Sequence, residues 1–141
     1  MSKMNISLMD RSNYFRGLLL LIRKDQTITE PENNMLLQIG KALGFDREFC
    51  EHAIHEILDN KYIEDEPPVF ENQALAEKFI RDGFTVGFCD HDRLHTHEED
   101  WLRRTAEKNG LESGWFNVQL QRAVQNLGMI NDLEAYHLIP H

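Results

Sequence analysis

Residues 23–45 read RKDQTITEPENNMLLQIGKALGF and residues 89–111 read CDHDRLHTHEEDWLRRTAEKNGL. Set one above the other at a constant offset of 66, the two stretches share a frame. Ile28 falls on Leu94, Glu32 on Glu98, Leu36 on Leu102, Gly44 on Gly110 and Phe45 on Leu111. Each reads as a polar loop, an inward apolar residue, a helix start and a closing glycine. In the first copy Thr29 precedes Glu32 by three with Pro31 between them. That is a capping box, with proline in the first turn where its missing N–H goes unused. The glycine after the last periodic residue is the usual stop, because it adopts the left-handed conformation without a Cβ penalty.

The same offset runs without a gap from residues 14–60 onto 80–126, placing Gly17 on Gly83 and Ile22 on Phe88. Only 5 of the 47 pairs are identical, so the agreement lies in which positions match: mid-helix glycine, cap glutamate, terminal glycine and apolar frame. The prediction is an all-α bundle of about six to seven helices, built from two pseudo-symmetric three-helix halves. Half one covers about residues 10–60 and half two about 72–127. A Pro67-Pro68 linker at about 61–71 joins them, and a tail at 128–141 follows, within one domain.

Periodicity fills in the helices. Phe15, Leu18, Leu19 and Ile22 follow the i, i+3, i+4, i+7 pattern, while Leu20 and Leu21 widen the apolar surface, so this first helix should be central. Its counterpart runs from about Asn72 to Phe88. Gly17 and Gly83 are expected where these two long helices cross, since an interior glycine costs about 1 kcal/mol against Ala and close approach is the natural compensation. Asp46 can cap a third helix carrying Phe49, Cys50, Ala53, Ile57 and Leu58. A fifth starts near His95 or Thr96 and ends at Asn109-Gly110. The sixth runs from Ser113 to about Leu127, and the tail forms a short helix over Leu133, Tyr136 and His137.

Composition narrows function. A net charge of -9 works against nucleic acid or an anionic membrane as partner, because both require a basic footprint. Cys50 and Cys89 show no CxxC spacing, as expected of thiols in a reducing compartment. The first residues hold no apolar h-region with a cleavage site, so a cytoplasmic location is expected. The longest apolar run, Leu18 to Ile22, is five residues against the roughly 20 that span a bilayer, so no direct membrane insertion is expected.

The doubled motif, approximately Asp-Gly-x-hydrophobic-x-x-x-Glu, resembles that of the tellurite-resistance TerB-like domain, an all-helical fold similar also to the N-terminal region of a membrane-anchored DnaJ-type co-chaperone. The resemblance covers about residues 10–127. It lands on Asp25, Ile28 and Glu32 in the first half and on Leu94 and Glu98 in the second. Gln26 and Asp92 stand where the family has glycine, and His91 where it has its second aspartate. The resemblance implies a non-enzymatic binding or scaffolding module in stress or tellurite and metal resistance. It also implies a protein partner, a membrane-associated resistance complex included, and acidic loops that bind divalent cations.

Residues 90–100, DHDRLHTHEED, hold three histidines and five carboxylates. Asp90, His91, Asp92, His95, His97 and Glu98 are the candidate metal ligands there, with Asp25 and Glu32 as the first-half counterparts. Asp90, Asp92, His95 and Glu98 make the best subset. Mixed imidazole and carboxylate ligation favours zinc, nickel, cobalt or manganese over calcium. The segment is not an EF-hand, since Leu94 takes an oxygen ligand's place and His95 the turn glycine's. Equally, Glu32 and Glu98 are explained by capping alone. His52, His55 and Glu56 read as a solvated helix face. The alternatives are a metal-dependent, hydrolase-like enzyme using the His/Asp loop with His52 or His55 nearby, and an adaptor with no ligand.

Overall fold

The computed structural model describes residues 6–23, 28–60, 62–88, 94–126 and 133–138. These form six α-helices: α1 (Leu8–Arg23), α2 (Glu30–Ala42), α3 (Arg47–Asp59), α4 (Gln73–Phe88), α5 (Thr96–Lys108) and α6 (Ser113–Gln125). A terminal 3-10 turn, Glu134–His137, follows. No strand occurs among the described residues, so the molecule is the all-α bundle the frame predicts.

Five of the six helices, α6 excepted, begin where a side chain satisfies a free N–H group of the first turn. The Ser7 hydroxyl accepts from the Asp10 N–H, Asp46 from Phe49 at 2.7 Å and Asn72 from Leu75 at 2.8 Å. Both predicted glutamate boxes form, at Thr29–Glu32 and His95–Glu98. The glycines that close α2 and α5 both have positive φ, Gly44 at 95° and Gly110 at 77°, which explains the residue type at both stops.

One contiguous core lies between the two halves. Leu18, Leu21, Ile22, Leu36, Ile39, Phe79, Phe84, Trp101 and Phe116 are all fully buried. α1 touches α2, α3, α4 and α5, in keeping with its central place. Its crossing with α4 is seated at Gly17, where a Cβ would stand 2.7 Å from the Phe79 ring. Gly83 departs from expectation. Its nearest neighbour is Leu102 of α5, 2.6 Å from where a Cβ would sit, with Leu21 of α1 behind it at 3.5 Å. Leu102 projects over α4 there, so the glycine admits α5 more closely than α1.

The repeat extends past the helices. The segment after α3 lies across α1 and α5: Arg23 donates to the Ile63 carbonyl, the Trp101 indole to the Asp65 carbonyl and Asn109 to the Pro68 carbonyl, while Phe70 N–H donates back to Asn109. Shifted by 66, residues 67–72 become 133–138, and that terminal segment lies across α4 and α2. Linker and tail are therefore equivalent pieces, each bracing one helix from either half.

Candidate functional site

Three places could carry function: the start of α5 with its first-half counterpart, a buried carboxylate in α4, and a cleft between α1 and α3.

At the start of α5, the His95 N–H donates to Glu98 Oε1 at 3.1 Å, and His95 Nδ1 accepts from the His97 N–H at 3.2 Å. The two imidazoles pack edge to face, centroids 4.9 Å apart. Glu98 is only 1% exposed, its carboxylate lodged against the end of α4 beside Gly87. Leu94 packs inward beside the same glycine, as Ile28 packs inward in the first half. There Glu32, also 1% exposed, accepts from the Thr29 N–H at 2.9 Å and from its hydroxyl at 3.1 Å.

This geometry assigns work to part of the predicted ligand set. A neutral imidazole has one free lone pair. His95 spends it on the cap, so a cation on either ring nitrogen would displace that bond at a cost of about 1 kcal/mol. Glu32 and Glu98 are buried in caps of their own, which leaves His97 as the exposed imidazole without a capping role. Asp25, Asp90, His91 and Asp92 lie outside the described residues. Among the described residues no three His, Cys, Asp or Glu side chains come together as metal ligands. The described donors therefore do not by themselves fit a cation.

His52 and His55 stand exposed on α3, 3.6 Å from Glu56 and 3.2 Å from Asp59 respectively, the solvated face expected. Cys50 is buried against Gly40, and burial raises its thiol pKa, consistent with a core residue. Cys89 lies outside the described residues.

The second place was not anticipated. Asp82 is 1% exposed in the middle of α4 and accepts three hydrogen bonds: from the Tyr14 hydroxyl at 2.6 Å, the Glu134 N–H at 2.7 Å and the Ala135 N–H at 2.9 Å. It ties α1 and the terminal segment to α4. Burial pushes its carboxyl up to about 7, against the pull of the three donors, and the nearby Glu134 carboxylate adds to the rise. A signal was present: Asp82 stands three residues after Phe79 and four before Val86, on a stripe otherwise buried.

The third place is a cleft of about 330 Å3 lined by Phe15, Leu19, Phe45, Phe49, Ala53, Ile57 and Ile63, with Ser12, Arg16 and Glu56 at its edge. Phe15, Phe45 and Phe49 form an aromatic series with centroids 5.9 and 5.0 Å apart, and Phe49 remains 50% exposed. The offset of 66 carries Phe15, Leu19, Ala53, Glu56 and Ile57 onto Arg81, Thr85, Gln119, Arg122 and Ala123, which line a cleft of about 280 Å3 between α4 and α6. In that second cleft Arg81 lies 5.6 Å over Trp115, the counterpart of Phe49, and pairs with Gln119 and Glu134. One fold position thus holds a mainly apolar lining in the first half and a more polar one in the second.

No family model, no curated protein and no solved structure matches this chain. Among the described residues no helix is long and apolar enough to cross a membrane.

Proposed function

We propose that the chain is a non-enzymatic binding and scaffolding module of the TerB-like kind, whose working surface is the apolar cleft between α1 and α3. The observation that carries this is the contrast between the two halves. The polar lining of the second cleft is compatible with the same helix packing, so the fold does not itself require the open aromatic lining of the first. Half-exposed Phe49 on a ring series that continues into the core is the arrangement of a docking site, where an apolar anchor gains most from leaving water. The stress or metal-resistance setting rests on the doubled glutamate motif.

The test uses an apolar fluorescent dye, read by emission and by backbone amide shifts. Dye should move the amides of Phe15, Leu19, Phe45 and Phe49, and Phe49→Asp should abolish both signals. Dye bound elsewhere with the cleft amides unmoved would end this reading.

A second reading keeps a divalent cation at the start of α5. It is supported by exposed His97 beside His95, with Arg93 and Leu94 between them and the sequence Asp90-His91-Asp92. A native-state site saturated at 100 times Kd would add about 2.7 kcal/mol to stability. Melting curves with zinc, nickel, cobalt and manganese against a chelator would register that gain, and unchanged curves would dismiss the ion.

A further inference from the structure

We infer that the α1–α3 cleft receives an amphipathic helix from a partner protein, with its apolar face down and a basic flank turned toward α3. This rests on the docking reading above and adds the chemistry of the occupant. A cleft of about 330 Å3 is at the small end of ligand pockets, which run to about 1,000 Å3, so it suits a few side chains rather than a large cofactor. It runs between two helices and is floored by residues of both, the geometry in which a third helix is held by anchors at i, i+3 or i+4, and i+7.

Charge sets the orientation. On α3, Glu48, Glu51, Glu56 and Asp59 are exposed against Arg47 alone, and of these acids Glu56 lines the cleft itself. Arg47 is occupied by Glu51 at 2.6 Å, and His52 and His55 lie beside Glu56 and Asp59. The α1 wall presents Arg16 instead. A helix with Lys or Arg along one side of its apolar stripe would meet opposite charge on α3. An acidic residue on its other side would meet Arg16. The net charge of -9 favours the same class of partner at longer range.

The experiment compares two conformationally locked helical peptides with the same apolar face, one flanked by Lys and the other by Glu, on the full chain. Anisotropy gives affinity and amide shifts give location. The Lys-flanked peptide should bind at the cleft at least tenfold more tightly than the Glu-flanked one, and added salt should weaken it. Phe49→Asp should reduce its binding at least tenfold. The double variant Glu48→Lys/Glu56→Lys, with the apolar floor intact, should narrow or reverse the preference.

Equal or stronger binding of the Glu-flanked peptide at the cleft overturns the charge assignment while leaving a docking surface. Failure of both peptides overturns the helix as occupant, and the dye experiment decides separately whether the cleft docks anything. A concentration-dependent dimer dissolved by Phe49→Asp, seen by sedimentation, would make the occupant a second copy of this chain and overturn the proposal.

Discussion

Protonation of Asp82 should make the chain more stable at mildly acidic pH than at neutrality. An aspartate in an unfolded chain titrates near 3.8, whereas burial in α4 pushes this one up to about 7. Between those values the native state holds a proton that the unfolded chain has released. Its contribution therefore falls as pH rises, the reverse of the usual salt-bridged carboxylate. A separation of roughly three pKa units at about 1.36 kcal/mol each gives about 4 kcal/mol across the whole window. Between pH 5 and pH 7.5 the linkage relation leaves about 2–3 kcal/mol of that.

The clean measurement is a double difference of urea unfolding at pH 5 and pH 7.5, wild type against Asp82→Asn. The variant should lose stability at pH 5, where an amide nitrogen must face one of the two backbone N–H donors and forfeits a bond worth about 1–2 kcal/mol. It should then lack the wild type's decline toward neutrality. The other charged groups around this position, Glu134 with its partners Lys78 and Arg81, are common to both proteins and cancel. Parallel pH dependence in the two proteins would refute the reasoning, as would a direct carboxyl titration of Asp82 near 4.

Gly83→Leu should destabilise by about 1–3 kcal/mol, because its new side chain meets Leu102 at once; Gly114→Ala, with nothing within 4 Å, should be neutral or stabilising in the same denaturant series. Glu32→Ala and Glu98→Ala should each cost about 1–2 kcal/mol through the lost cap, and by similar amounts if the two halves are built alike. A loss under about 0.3 kcal/mol at either glutamate would remove the capping account there.

The helix boundaries were legible because they are local. Thr29, Asp46, Gly44 and Gly110 act on their own backbone neighbours within a turn, so sequence spacing alone carries the information. The internal offset was legible for the same reason: glycine and cap glutamate are demanded by backbone geometry at fixed places in each half. What could not be read is anything set by pairs far apart in sequence. Asp82 finds Tyr14 at a separation of 68 residues and the terminal segment at 52 and 53. Its partners are one side chain and two main-chain groups, and only the buried stripe around it could have marked it. Gly83 was placed against α1, which does reach it through Leu21, but the closer approach is from Leu102 of α5, because a glycine reveals that something comes close without saying what. For the candidate ligands, spacing listed donors but not their prior commitments, and the cap role of His95 appears only once its Nδ1 is seen facing the His97 N–H.

The near-symmetry also separates what folding needs from what it leaves optional. Positions that agree under the offset, Gly44 with Gly110 and Glu32 with Glu98, do the same backbone task in both halves. Positions that disagree while packing stays equivalent are free to serve something else. Phe15 is 2% exposed and continuous with Phe45 and Phe49, whereas its counterpart Arg81 reaches outward to cover Trp115 and pair with Glu134. A polar side chain at the half-exposed end of the aromatic series makes the distinction measurable. Phe49→Gln should cost little stability, since the ring is half exposed and burying its remaining half is worth about 1 kcal/mol. It should nevertheless remove dye and helix binding at the cleft. A loss of several kcal/mol would mean that the aromatic series is there for the core, and the distinction between folding and docking at this position would collapse.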